Sequence, residues 1–591
     1  MITEKLNKNQ QEAVDHKEGP LLIAAGAGSG KTKTLTSRII GLLEAGVPAN
    51  KILAITFTNK AASEMKFRVE RDCQAKNIDT KWLTISTFHS LGARLLRVEA
   101  KHLGRSSQFT IFDDGDSLSV IRKIIKELHL DKEDYKPRLI RHYISKIKSE
   151  LVSSNDDEMM TKAYEIYEKT LKKCNAFDFD DLIEKIVILL RDNPQILSKY
   201  QNRYQHLLVD EFQDTNVTQY LLIKLLAQKH KNLSVVGDDA QSIYGWRHAD
   251  FRNFLNFEKD WPNAKVILLE ENYRSSANII NAANELIKHN KFQKEKTLWT
   301  QNPAGNKISV TTSQSEGEEA DWVVSKIMEL KAVGNNSEEM AILYRTNAQS
   351  RAIEQALIYE QIPYQVFGGI RFYERKEIKD LLAGLRFALN PNDEVSFDRL
   401  QKTFGKRRSR VLIENLPRLA TELTLTQLID SFLNNSNYIN YLESHYKNYK
   451  ERIENVQELV NFASTFNDQG LSAFLEAVSL VQSQDQPERV GGVKLMTIHL
   501  SKGLEFDNVF VCGCNEGLLP HEKSLGAPEQ LEEERRLMYV AMTRARKNLF
   551  LTLHSIPSRF LYEIPEELIT FKGLGQDKDS LPDEDERYIE Y

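Results

Sequence analysis

A chain of 591 residues, 41% hydrophobic and 28% charged with only 15 prolines and 27 glycines, has room for several domains and excludes collagen-like, mucin-like and wholly disordered classes. The 79 Lys and Arg against 84 Asp and Glu leave a net charge of −5, which excludes a uniformly basic nucleic-acid coat. A locally basic groove stays open, because counterion release depends on local phosphate contacts. Four cysteines, Cys73, Cys174, Cys512 and Cys514, make no disulfide framework and fit a reducing compartment. Cys512 and Cys514, in VFVCGC, lack the further ligands that a metal site needs. The N-terminal MITEKLNKNQQEAVDHKEG has no apolar leader, and no window reaches the roughly 18 apolar residues of a membrane span. A cytoplasmic protein with no membrane partner is expected.

Along the chain, GPLLIAAGAGSGKTKTLTSRIIGLLEAG reads as a buried strand over Leu21–Ala25, a glycine-rich turn, and a helix from Thr32 onward. Further β-rich apolar runs at 52–57, 83–87, 207–210 and 233–237, several separated by helical patterns, predict a parallel α/β sheet. A second set lies at 308–312, 340–344, 493–497, 509–512 and 549–553. Residues 95–200, with SLSVIRKIIKELHL and KAYEIYEKTLKKC, read as a helical insertion, as do 386–489, with RIENVQELVNFASTFN and LSAFLEAVSLVQ. The expected organisation is a first sheet domain over 1–94 and 201–265, a second over 266–385 and 490–570, the two insertions, and an acidic tail over 571–591.

The chemistry is concentrated at strand ends. Ala25-Gly26-Ala27-Gly28-Ser29-Gly30-Lys31-Thr32-Lys33 follows a strand and opens a helix, so that main-chain N–H groups can cradle phosphates. Lys31 would reach the β and γ oxygens and Thr32 would hold Mg²⁺. Ala25 stands where the pattern usually begins with glycine. HLLVDEFQDTN then supplies Asp210 for the metal and Glu211 to polarise an attacking water, the groups that phosphoryl transfer asks for. In VVGDDAQSIYGWRHAD a strand runs into Asp238 and Asp239, followed by Gln241 as a γ-phosphate sensor. Tyr244 and Trp246 beside Arg247 and His248 mix ring faces with positive charge, as base stacking on a single strand requires.

The order of LNKNQQEAV, AGAGSGKT, ITFTNKAASEM, TISTFHSLGARLL, VDEFQDTN, VVGDDAQSIYGWR, LEENYRS, YRTNAQSRAIE, GGIRFYERKEIKD, TIHLSKGLEFDNVFV and ERRLMYVAMTRARKNLFL resembles superfamily 1 DNA helicases of the UvrD, Rep and PcrA type, over about residues 3–565. The resemblance implies an α/β fold of two RecA-like P-loop domains, each interrupted by a mainly helical subdomain, and a motor that uses ATP and Mg²⁺ to move 3′ to 5′ on single-stranded DNA and open 3′-tailed duplex. It further implies loading partners in repair or replication. By that resemblance Gln10 contacts adenine, Arg274 and Arg544 are arginines offered by the second RecA-like domain, and Glu505 serves the ribose side. It places Phe57, Thr58, Asn59, Thr87, Phe88, His89, Tyr244, Trp246, Arg247, Thr497, His499 and Lys502 on DNA. Tyr273 and Arg345 are expected to support the nucleotide or the sheet, Tyr344 to serve the core or the site, and Arg38 to lie on a helix surface.

Two departures bear on function. After Arg544 the chain passes from LFLTLH to SIPSRFLYEIP, where the family usually extends a hairpin that wedges strands apart; Phe560 or Tyr562 are the available substitutes. The second insertion is also short. An alternative is therefore a DNA-stimulated ATPase that translocates or displaces proteins with little unwinding. A P-loop kinase or GTPase, and a binding module with a decayed nucleotide site, fit the two arginine motifs and the intact Lys31 and Glu211 less well. Stacking platforms accept either sugar, so RNA stays open as substrate.

Overall fold

The computed structural model describes residues 6–131, 134–151, 157–367, 372–391, 393–475, 478 and 491–573. The chain separates into two compact units, Met1–Ile280 with Ile287–Asn302, and Asn281–Leu286 with Pro303–Tyr591. Each is built on its own parallel sheet.

The strands of the first unit are β1 (Leu21–Ala25), β2 (Ile52–Thr56), β3 (Thr84–Thr87), β4 (Thr110–Phe112), β5 (Ala176–Asp178), β6 (His206–Val209), β7 (Asn232–Gly237) and β8 (Lys265–Leu269). The main sheet has the order β3-β2-β6-β7-β1-β8. All its pairs are parallel, with Ile23 opposite Val236 and Ile55 opposite Val209. Parallel strands need crossover connections, which lay helices over both faces. The two-residue period of a strand then divides each apolar run between two cores. Leu22, Ala24, Leu53, Ile55, Leu207, Val209 and Val235 pack with Phe88, Leu91, Leu182 and Leu222 of the covering helices. Leu21, Ile23, Ala25, Ala54, Leu208, Val236 and Ile267 pack on the other side with Leu35, Ile39, Met65 and Val69.

β8 lies outside the strands expected from sequence and corrects the first domain boundary. It pairs with β1 from Leu21 opposite Lys265 to Ala25 opposite Leu269, so the first sheet continues past residue 265. A five-residue run at a sheet edge is specified by the strand it joins as much as by its own pattern. The first insertion is helical, as expected, with Asp114–Glu127, Pro137–Glu150 and Glu158–Lys173. It also holds the small parallel pair β4 and β5. The buried ammonium of Lys148 sits 3.0 Å from Asp178 Oδ2, 2.8 Å from Asp181 Oδ1 and 2.7 Å from Glu168 Oε1. Burial opposes its charge, but the carboxylates outweigh burial and hold it well above the usual lysine range.

The second unit contains β9 (Ile308–Thr312), β10 (Met340–Tyr344), β11 (Tyr364–Val366), β12 (Val493–Thr497), β13 (Phe506–Val511), β14 (Ala545–Leu553) and β15 (Ile569–Gly573). They form one parallel sheet in the order β11-β12-β10-β13-β14-β9-β15. β11 and β15 are additions to the expected set. β15 carries the sheet into residues assigned from sequence to the acidic tail; the remainder of that tail, 574–591, lies outside the described residues. The sheet core includes Ile342, Tyr344, Leu495, Phe510 and Phe550. Tyr344 is fully buried and therefore belongs to the core. The second insertion is helical over its described residues, and its core of Leu428, Phe432, Tyr438 and Leu459 also takes in Leu381 of the helix Lys376–Leu389, so this helical unit begins before the expected residue 386. Gly384 lets two of its helices approach closely, since a Cβ there would lie 2.5 Å from the Phe432 ring.

A similar close approach in the first unit fixes the helix Phe88–Glu99, where a Cβ on Gly92 would stand 1.9 Å from the main-chain oxygen of Leu182. Gly92→Ala is expected to cost about 1–3 kcal/mol. Urea unfolding measures it, and an unchanged midpoint would show that the helix moves aside freely.

Candidate nucleotide and nucleic-acid site

The glycine-rich loop follows β1 and opens the helix Lys31–Glu44. Gly28 and Gly30 adopt φ of +65° and +82°, the left-handed region that glycine enters without strain. The first bond of the helix runs from Thr34 N–H to Gly30 O at 2.9 Å, and the N–H groups of Lys31, Thr32 and Lys33 stand ahead of it in the opening turn. That is the donor set of an anion cradle. The loop is clasped by neighbours. Gln10 Nε2 donates to Ser29 O at 2.9 Å, Ser29 Oγ to Gly26 O at 2.8 Å, and Asn272 Nδ2 to Ala27 O at 2.7 Å. Ala25 and Ala27 are buried. Lys31 Nζ lies 3.5 Å from the carbonyl oxygens of Ala25 and Gly26 and 4.0 Å from Asp238 Oδ2. The cup thus already holds a cation beside a row of donors, which fits a polyphosphate. A hydroxyl at Thr32 and a carboxylate at Asp210 are hard oxygen donors of the kind Mg²⁺ prefers.

Acidic groups stand at the ends of the adjacent strands. Asp210, just past β6, is buried, and its N–H donates to Ile55 O at 2.9 Å. Glu211 takes a left-handed φ of +50°, which turns the chain out of the sheet. Gln213 Nε2 donates to Glu211 Oε2 at 2.6 Å, while Gln213 Oε1 accepts from Asp238 N at 3.0 Å. Gln241 Nε2 donates to Asp238 Oδ2 at 2.6 Å. Glu211, Gln213, Asp238 and Gln241 are therefore one hydrogen-bonded series.

Two expectations are corrected here. Arg274 belongs to the first unit, with its N–H donating to Asn272 Oδ1 at 2.9 Å and its Cβ beside Gly28. The tight turn after β8 docks on the loop, so this arginine comes from the same unit as the loop. Arg38 is buried, not on a surface: it donates to Ser234 Oγ and to Ala13 O at 2.8 Å each, and to His16 O. Burial pulls its guanidinium down to about 10.

Among the nucleic-acid candidates, the Phe57 ring is half-buried and packs edge-on against Phe88 at 5.4 Å. Phe88 itself is buried in the core, which corrects its assignment to a DNA surface; its place is beneath Phe57. Thr58 and Thr87 are helix N-caps, accepting from Ala61 N at 3.1 Å and Ser90 N at 3.2 Å. Asn59 is exposed. His89 is half-buried, and desolvation lowers its pKa, so at neutral pH it offers a ring and not a charge. Trp246 is exposed and its ring lies 6.4 Å from that of Tyr244. The Arg247 side chain lies outside the described residues.

In the second unit, Thr497 ends β12 and leads into a short helical turn that holds His499, with Lys502 just beyond; all three are half-buried. Glu505 is exposed, 3.5 Å from Arg546 Nη1. Arg544 is buried, with Nε donating to Val540 O at 2.9 Å and Nη1 to Leu504 O at 3.1 Å. Arg345 forms a two-pronged pair with Glu534, 3.0 and 2.8 Å. The Cys512 and Cys514 thiols are buried, and burial pushes both up.

Several residues of these surroundings went unmarked in the sequence. Asn272 sits within ENYRS, so the motif contained it, but only the fold shows its amide bridging Ala27 O to the N–H groups of Arg274 and Ser275. Phe179, from FDFDDL, is half exposed with its ring 5.8 Å from His89. Tyr273, by contrast, is among the residues expected from sequence to support the nucleotide or the sheet; it is half exposed, and its hydroxyl donates to Glu271 Oε2 at 2.6 Å and accepts from Asn7 at the start of the Gln10 helix.

Two parallel sheets, one with a clasped phosphate loop and an acid series at its strand ends, define a P-loop motor class of protein. A model of the UvrD/REP helicase N-terminal domain matches residues 6–262, and one of the UvrD-like helicase C-terminal domain matches 267–445 and 431–556. The chain belongs to the UvrD/REP helicase family. ATP-dependent DNA helicase PcrA of Staphylococcus epidermidis is 42% identical over 651 aligned positions, covering 98% of this chain and 89% of the relative. The protein of the same description from Staphylococcus aureus is 40% identical over 642 positions, covering 97% and 88%. An alignment of 651 positions on a 591-residue chain leaves at least 60 filled by the relative alone.

Asn272→Ala removes three hydrogen bonds from buried main-chain groups, and each group left unpaired costs about 1–3 kcal/mol. Faster amide exchange at Arg274 and Ser275 and a lower thermal midpoint are expected; protection unchanged from wild type would show that the loop holds its shape without this clasp.

Proposed function

We propose that the protein is an ATP-dependent translocase and helicase that moves 3′ to 5′ on single-stranded DNA in repair or replication, loaded by partner proteins on 3′-tailed substrates. The observation that carries this reading is the hydrogen-bonded series Gln241, Asp238, Gln213 and Glu211 with the loop lysine, Lys31, facing it 4.0 Å from Asp238, in a unit that also displays exposed rings. Gly26, Gly28, Ser29 and Gly30 shape the cradle, and the N–H groups of Lys31, Thr32 and Lys33 with the Lys31 ammonium bind the triphosphate. Mg²⁺ held by Thr32 and Asp210 would neutralise charge on the β and γ oxygens. Glu211 orients and polarises the attacking water, and Gln241 senses the γ-phosphate. Gln10, in the helix whose N-cap Asn7 donates to the Tyr273 hydroxyl, serves the base. Arg274, Arg544 and Glu505 are the further nucleotide contacts that the family pattern supplies. Phe57, His89 with Phe179 beside it, Tyr244 and Trp246 offer ring faces to bases; Asn59, Thr497, His499 and Lys502 offer polar groups to the strand. Thr58 and Thr87 hold the helix ends from which their neighbours project.

One observation favours the second reading, translocation with little unwinding. β14 ends at Leu553 and the next helical turn, Arg559–Leu561, begins after a short loop with no hairpin. Phe560 cannot stand in as a wedge, since it is buried with the Arg535 guanidinium 5.3 Å from its ring.

ATPase assays with single-stranded DNA or RNA, and unwinding of 3′-tailed and 5′-tailed duplexes, test the reading; hydrolysis indifferent to nucleic acid would overturn it. Lys31→Ala is expected to abolish hydrolysis, and Glu211→Gln to lower kcat by roughly 10²–10⁴-fold with KM for ATP nearly unchanged. Equal translocation with weak strand displacement would select the second reading.

Because His89 is neutral at pH 7, His89→Phe is expected to keep single-strand affinity and its salt dependence, whereas His89→Ala loses about 1–3 kcal/mol of stacking. Fluorescence anisotropy across a salt series reads both, and equal losses in the two variants would show that the ring face is not what binds.

A further inference from the structure

Lys296 lies outside every motif, in the segment Ile287–Asn302 that packs into the first unit. Its side chain is 5% exposed, and Nζ sits 3.0 Å from Asp238 Oδ1 and also pairs with Asp239 Oδ1. The N–H of Lys294 donates to Asp239 Oδ2 at 2.7 Å, which fixes the segment against the same turn. The other oxygen of Asp238 accepts from Gln241 Nε2 at 2.6 Å and lies 4.0 Å from Lys31 Nζ. One fully buried carboxylate therefore stands between two ammonium groups, and one of those belongs to the phosphate loop.

That arrangement bears on what happens when Lys31 changes partner. A phosphate in the loop draws the Lys31 ammonium toward its oxygens and away from Asp238. A buried carboxylate stripped of its only cation is strongly disfavoured, so without a second cation Asp238 would retain Lys31 and resist the phosphate. Lys296 supplies that cation from the opposite side. It also keeps Asp238 in place to hold Gln241, and through the Asp238 N–H and Gln213 the hold reaches Glu211.

We propose that Lys296 is a positioning residue of the nucleotide site, which compensates Asp238 while Lys31 moves from carboxylate to phosphate and so keeps Gln241 and Glu211 in register. The proposal rests on the ATPase reading above. It separates from a purely structural role, in which Lys296 merely neutralises two buried acids and its loss would lower stability without touching nucleotide affinity.

The test compares wild type, Lys296→Met, Lys296→Arg and the double variant Asp238→Asn with Lys296→Met, all as full chains. ATP KM and kcat are measured at saturating single-stranded DNA, with affinity for a fluorescent ATP analogue and the nucleotide-free thermal midpoint. Lys296→Met is expected to raise KM and the analogue Kd by about tenfold or more, the scale of one charge-assisted contact. Lys296→Arg should restore most of that loss. The double variant should recover affinity relative to Lys296→Met, because the carboxylate that retains Lys31 is gone. If Lys296→Met does not fold, Lys296→Gln carries the same expectation. A lowered thermal midpoint with wild-type KM and Kd overturns the proposal, as does a double variant no better than the single. Absence of ATP binding in wild type would instead overturn the functional reading itself.

Discussion

A parallel sheet covered by helices on both faces leaves polar chemistry one place to live, the ends of its strands. In the first unit that restriction brings together the loop after β1, Asp210 after β6 and Asp238 after β7, while Phe57 and Thr87 mark the ends of β2 and β3. All are at carboxyl ends, because crossover connections return every strand of the parallel sheet in the same direction. The apolar alternation that fills two cores therefore also decides where charge can gather. Lys31 illustrates the result: its ammonium lies by the carbonyl oxygens at the end of β1 and faces a buried carboxylate at the end of β7.

The parts of this design that were legible in sequence are those written in local pattern. The loop, the acid pair at 210–211 and the Asp238 to Trp246 stretch each combine a strand, a turn and a reactive side chain within a few residues. Ten expected strands correspond to strands of the two sheets, and the ones missed, β8, β11 and β15, are short runs at or near sheet edges, where the neighbouring strand supplies the information. Arg38 reads as a surface residue by type. Only the fold shows it reaching across to Ser234 and to two carbonyls at the end of the first helix. Phe88 and His89 are adjacent in sequence but differ in surroundings, Phe88 buried in the core and His89 half-buried beside the exposed Phe179 ring, a distinction that depends on which face of the helix Phe88–Glu99 meets the core. Lys296 carries no motif at all; its meaning is its distance to Asp238.

The second insertion is joined to its sheet differently from the way the cores are built. Arg375 donates to Asn347 O, Asn455 Oδ1 and Ser350 Oγ at 2.8 to 2.9 Å, and Arg351 Nε meets Glu458 at 2.5 Å. Asn347 also pairs with Glu451. This seam between the sheet side and the helix Tyr449–Ser464 is polar, whereas the interior of the insertion is packed with Phe404, Phe432, Tyr438 and Tyr441 rings. Polar seams specify an orientation while costing less to part than apolar ones, since water can replace each contact.

The glycines of the phosphate loop make room for protein as much as for ligand. A Cβ at Gly26 would fall 2.1 Å from Leu298 Cδ2, and one at Gly30 would fall 2.8 Å from Gln10 Nε2. Leu298 and Gln10 come from opposite ends of the first unit's chain, so the loop is gripped from both. A loop gripped in this way has already surrendered its backbone freedom at the time of folding. Its calorimetric signature on meeting a polyanion should accordingly be a small ordering entropy, with little of the free energy of capture diverted into shaping the cradle.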